Sequence, residues 1–103
     1  MFRQGDVMLV PVKKIPRDLV EVPKEQGRIV LAHGEVTGHA HVIEGDALFL
    51  AADLDEMSQR FLRVEGECEL VHDEHDTITV PAGAYEVRRQ AEYAPEAPTW
   101  VAD

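Results

Sequence analysis

Four of the five histidines fall into two tight groups, His39-Ala40-His41 and His72-Asp73-Glu74-His75. Neutral imidazole is the commonest metal ligand among side chains. Side chains alternate along a strand, so His39 and His41 share one face and Ala40 and Val42 the other. Two imidazoles placed that way can hold one ion. His72 and His75 flank a predicted turn that also carries Asp73, Glu74 and Asp76. Imidazole with carboxylate suits Zn²⁺, Ni²⁺, Mn²⁺ or Fe²⁺. The candidate ligands are therefore His39, His41, His72 and His75, with Glu44 completing the set. If only the first pair binds, Glu35 or Glu44 becomes the third ligand. The competing reading is that these are polar residues on a wet strand face and in an exposed turn.

Other chemistries find less support. Ser58 is the only serine, and no glycine-framed elbow surrounds it. Cys68 alternates with Glu67 and Glu69 and falls in phase with Leu70, which predicts a buried structural thiol and not a reactive one. Gly34 to Gly38 lacks the ending of a phosphate loop. Arg88-Arg89 reads as a salt-bridging strand end.

The elements that must position these residues are strands. Apolar runs are short, rich in valine and bounded by Gly, Pro or Asp. Asp6 to Val12 is nearly continuous and predicts a strand that is covered on both sides or curves tightly, with Pro11 at its end or on an edge. Arg17 to Lys24 reads as a connection. Further strands are expected at 28–32, 39–43, 47–50, 60–64, 67–71, 77–80 and 84–89. Gly34–Gly38, Glu65-Gly66 and 72–76 are expected turns, and Pro81-Ala82-Gly83 a kink. Around Asp53 to Met57 a hairpin loop with one helical turn is expected, Asp53 and Glu56 forming a capping box. The sum is an all-β fold, a small antiparallel β-barrel or sandwich. The whole chain, 1–103, reads as one domain with an irregular tail from about 91, from which Trp100 could dock back on the body.

Composition narrows the partners. The 103 residues carry a net charge of −10 and only one cysteine. That balance argues against nucleic acid or an anionic membrane, because phosphate binding needs clustered Lys and Arg. A lone cysteine excludes an internal disulfide framework and a multi-cysteine zinc site. No apolar run approaches a membrane span, and the opening residues hold no signal-peptide core, which points to the cytoplasm. Eleven carboxylates lie between Glu44 and Asp76 against Arg60 and Arg63 alone. Such a stretch is a solvated surface or a field that favours cations. Exposed sheet edges predict association into a homo-oligomer, while the charge opposes it.

Two resemblances follow. Gly34-Glu35-Val36-Thr37-Gly38-His39-Ala40-His41, followed by Glu44, resembles the first motif of the cupins, with one residue fewer in each gap. The resemblance implies a cupin-like barrel, an ion held by His39, His41 and Glu44, and Lewis-acid chemistry. Where the second cupin motif would offer a histidine, this chain has Glu86. More extensively, Arg3-Gln4-Gly5-Asp6-Val7, the Gly34–His41 run, His72 to His75 and Pro81 to Gln90 are similar to a family of short uncharacterised bacterial and phage-encoded proteins. Ala91 stands where that family typically has arginine. This second resemblance implies a cytoplasmic or phage-associated small protein and carries no activity. The reading is a metal-binding or small-ligand-binding β protein, enzymatic or not. The runner-up is a structural or interaction module, an oligomeric adaptor or phage-particle component, with incidental histidines.

Overall fold

A computed structural model describes residues 1–33, 39–55 and 58–89. The expected Gly34–Gly38 turn, Glu35, the Glu56 half of the capping box and the tail from 91 with Trp100 lie outside the described residues. Eight strands form one antiparallel sheet: β1 Phe2–Gln4, β2 Val7–Pro11, β3 Val20–Glu21, β4 Ile29–His33, β5 Ala40–Ala51, β6 Arg60–His72, β7 His75–Val80 and β8 Gly83–Arg89. The order is β1-β2-β8-β6-β5-β3, with β4 also on β5 and β7 also on β6. The ladder does not close, although β1 lies against β7.

The frame is the β5–β6 hairpin, and here the expected Glu65-Gly66 turn is absent. Residues 39–43 and 47–50 belong to one strand, as do 60–64 and 67–71. Gly45-Asp46 and Glu65-Gly66 do not reverse the chain; they face each other across the ladder. Gly45 pairs with Cys68 and Ala47 with Val64, so β6 spends two more residues than β5 over that stretch. Because the slip is two residues, both strands keep their faces. Gly45 sits at φ +132°, and a Cβ there would lie 2.6 Å from the Cys68 Cβ. Only glycine permits that approach.

Alternation then writes the core. Along β6, Leu62, Val64, Cys68, Leu70 and His72 are buried while Arg63, Glu65, Glu67 and Glu69 are exposed. Along β5, Ile43, Ala47 and Phe49 join the same cluster, with Val7 and Leu9 from β2 and Tyr85 from β8. Cys68 is buried as its phase with Leu70 predicts, and burial pushes its thiol pKa up, with the Glu69 charge adding to that. β2 is covered on both sides to Leu9; β1 ends opposite Leu9, so Pro11 lies on a free edge as its missing N–H requires. Arg17–Lys24 is not all connection: β3 within it pairs with Leu50 and Ala51. Among the described residues of the 53–57 loop there is no helix. Asp53 Oδ1 accepts the Asp55 N–H at 2.7 Å, an Asx turn that competes with a helical start.

Candidate functional site

The apolar series of several strands end in polar residues at the same edge of the core. On β6 the series Leu62 to Leu70 continues to His72. On β5 the positions in phase with Ile43 and Phe49 are His41 and, just before the strand, His39. On β1 the residue in phase with Phe2 is Gln4. Gln4, His41 and His72 are the buried polar side chains among the described residues.

β7 reaches this edge only through a bulge. Leu70 pairs with Ile78 but His72 with His75, so Asp76 and Thr77 together face Val71. A one-residue slip exchanges the two faces of a strand, and it turns His75 onto the side of His72. The expected turn at 72–76 shrinks to Asp73-Glu74, and its flanking histidines become a cross-strand pair. A second bulge, at Leu31 of β4, sets Ala32 opposite His41. Both irregularities adjoin histidines.

The four rings meet. Ring centroids are 4.4 Å apart for His41–His72, 4.7 Å for His72–His75, 5.8 Å for His39–His72 and 5.9 Å for His41–His75. Imidazoles sharing one ion through nitrogens at ~2.0–2.1 Å have centroids roughly 4.5–5.5 Å apart for ligand angles of 90–110°. Their donor atoms are another matter. Among the described residues no group of three or more His, Cys, Asp or Glu is arranged, as it stands, to hold a metal ion. The hydrogen bonds explain why.

Gln4 fixes His41. Its Nε2 donates to the carbonyls of Leu70 at 2.9 Å and Asp76 at 3.0 Å, on either side of the β7 bulge. Both amide protons are spent, so Oε1 accepts from His41 Nδ1–H at 2.9 Å. His41 is therefore the Nδ1–H tautomer when neutral, and its Nε2 carries a lone pair. Burial, then the charge of His72, lower the His41 pKa to about 4; His75 and Arg89 add to this and Asp6 opposes it. At neutral pH the ring is an unprotonated donor.

His39 is set similarly, its Nδ1 3.0 Å from Glu74 Oε1, so that Nδ1–H donates and Nε2 is left open. Carboxylate or amide support behind a ring is the usual means of aiming a ligating imidazole. His72 differs: its Nδ1 accepts the Glu74 N–H at 3.0 Å, which puts the proton on Nε2 in the neutral ring. To ligate an ion this ring must give up that hydrogen bond. His75 is exposed and lies over Gly5, where a Cβ would come within 2.9 Å of its Nε2.

Glu44 is not brought to the rings. It is exposed, opposite Glu69, and out of phase with His41. The carboxylate that is close comes from Asp6, in the Gly5-Asp6 turn between β1 and β2. Its Oδ1 stands 3.5 Å from His41 Nε2, and its Oδ2 accepts from Arg89 at 2.7 Å. Burial alone would raise the Asp6 pKa, but the hydrogen bonds and charge of Arg89, a backbone hydrogen bond and the charge of His41 bring it below the usual value. Sequence reading missed Gln4 and Asp6. Their available signal was the Arg3-Gln4-Gly5-Asp6-Val7 run, whose Gln-Gly-Asp is a two-residue hairpin turn with a polar residue in the core phase. Glu86, at the cupin-like position, binds Arg88 and Gln59.

The chain belongs to a family described as a domain of unknown function, DUF8820, whose model matches residues 3–90. That span contains every residue of the cluster. No curated protein and no solved structure matches the chain. Among the described residues no helix is long and apolar enough to cross a membrane.

Proposed function

We propose that the histidine cluster binds one divalent transition-metal ion, with His39, His41, His72 and His75 as the imidazole ligands. What carries the reading is the convergence of four rings from two distant stretches of chain, with centroid separations of 4.4–5.9 Å that small ring movements bring to those of a shared ion. Two bulges and a fully satisfied buried glutamine support it, because they aim side chains that packing alone would not gather. Borderline nitrogen ligands suit Zn²⁺, Ni²⁺ or Fe²⁺, and a nearby carboxylate also admits Mn²⁺. The ion closes the cluster: His72 releases the Glu74 N–H, and the exposed His75 ring turns inward. Because His41 is already unprotonated at neutral pH, binding there displaces no proton from it.

The test is calorimetric titration of tag-free protein with Zn²⁺. We expect one ion per chain, and each of the paired substitutions, His39→Ala with His41→Ala and His72→Ala with His75→Ala, to remove most of the affinity. Retention of wild-type affinity by both pairs would end the metal reading. A second reading is favoured by the hydrogen bonds of His41 and His72, which tie the Nδ1 of each ring to the protein without an ion. On that reading the cluster is a polar clasp closing one end of the core of an interaction module, and Zn²⁺ binds no better than to any acidic surface.

A further inference from the structure

If the cluster holds an ion, Asp6 and not Glu44 supplies its carboxylate; we propose this assignment, which rests on the metal reading, from the pairing of His41 Nε2 and Asp6 Oδ1 at 3.5 Å. The Gln4 amide forces the lone pair of His41 onto Nε2, so two acceptors face each other across that gap. Facing acceptors repel unless a cation lies between them. Their spacing is that of adjacent ligands on one ion: bonds of ~2.0–2.2 Å at the roughly 90–120° angles of a five-coordinate ion set two neighbouring donor atoms about 3.0–3.6 Å apart. A divalent ion gains from the same carboxylate and also needs the neutral rings.

Asp6 is anchored for the role. Arg89 holds Oδ2 through Nε at 3.2 Å and Nη2 at 2.7 Å, leaving Oδ1 directed to His41. The anchor ties the β1–β2 turn to the end of β8, where Val7 pairs with Arg89. Glu44 has no comparable anchor and lies out of phase with the rings. Arg89 also competes for the carboxylate, so its removal loosens the anchor and lifts the competition together, and is expected to cost clearly less affinity than the loss of Asp6.

Zn²⁺ titration of the full chain and its variants at neutral pH separates the possibilities. Asp6→Asn is expected to weaken binding about 10- to 100-fold, the range seen when a supporting or ligating carboxylate is lost, and Glu44→Gln to leave it within about twofold. Arg89→Gln breaks the same ion pair without touching the ligand, and serves as the control for folding damage. Wild-type affinity in Asp6→Asn, equal losses in Asp6→Asn and Glu44→Gln, or a loss in Arg89→Gln matching that in Asp6→Asn would each overturn the assignment while leaving the four-histidine site standing. Failure of the wild type to bind Zn²⁺ more tightly than the two double-histidine variants brings down both. With Co²⁺ as probe, loss of the carboxylate should also change the visible absorption spectrum of the bound ion, a change that Glu44→Gln should not produce.

Discussion

The two ends of the β5–β6 ladder use the same strands and the same alternation for opposite purposes. At one end Phe49, Leu62, Val64 and Tyr85 pack into an apolar mass. Its main polar intruder is Arg60, whose guanidinium lies 5.6 Å from the Phe49 ring centre and whose buried Nε has no hydrogen-bond partner among the described residues. At the other end the in-phase positions are Gln4, His41 and His72, and the buried Gln4 spends both amide protons and its oxygen. A polar group in the core phase requires a complete network, because a half-satisfied one costs more than an apolar side chain. The apolar end thus holds the fold, and the polar end is built to a geometry.

The largest effect that would sharpen this contrast is at the apolar end. Leu62 is fully buried, and Leu62→Ala is expected to cost about 3–5 kcal/mol, from lost burial plus the cavity left behind. Urea unfolding reads the loss as a lower midpoint with little change in slope. Zn²⁺ affinity of the still-folded protein should not move. If it falls with stability, the two ends are coupled and the division between them is wrong.

The next effect belongs to the polar end and depends on pH. The His41 pKa is about 4 in the fold, against ~6.5 in the unfolded chain. Above pH 6.5 both states are neutral and the group contributes nothing to the pH dependence. As pH falls from about 6.5 to about 4, the unfolded chain takes up a proton that the fold refuses. Stability of metal-free protein should therefore decline across that window by up to about 3 kcal/mol. His41→Gln should lack that part of the decline, whereas the decrement caused by Leu62→Ala should stay constant with pH. Equal pH slopes in wild type and His41→Gln would contradict the buried neutral ring.

How much of this was legible beforehand differs between the ends. The period-2 run from Leu62 to Leu70 discloses an all-β fold and a buried Cys68, since alternation is a local property. The His39–His41 and His72–His75 groups were visible for the same reason. Glu65-Gly66 misled because glycine beside an acidic residue reads as a turn, and only the pairing of β6 with Gly45 and Ala47 of β5 shows otherwise. The bulge that sets His75 on the side of His72 leaves no local mark, because it is a property of the pairing and not of either strand. Gln4 and Asp6 were hidden for a related reason: each becomes a site residue through partners distant in sequence, His41 and Leu70 for one, His41 and Arg89 for the other.

The smallest of the expected changes in stability discriminates best between the metal and clasp readings. Gln4→Leu fills the same buried space but leaves the Leu70 and Asp76 carbonyls and the His41 Nδ1–H without their partner. Buried groups stripped of a partner cost ~1–3 kcal/mol each, and the added apolar contact offsets part of that, so a net loss of about 2 kcal/mol is expected. Both readings require this loss, since both need the network. They part over ion binding. Without Gln4 nothing holds the proton on Nδ1, so His41 can present an N–H to the cluster in place of its lone pair, and Zn²⁺ affinity should fall about 10- to 100-fold. A polar clasp has no such affinity to lose. Matched urea and Zn²⁺ titrations of Gln4→Leu and Leu62→Ala therefore make a pair: the first should lose less stability and more affinity than the second. The reverse order would place the histidines among the structural residues of the fold.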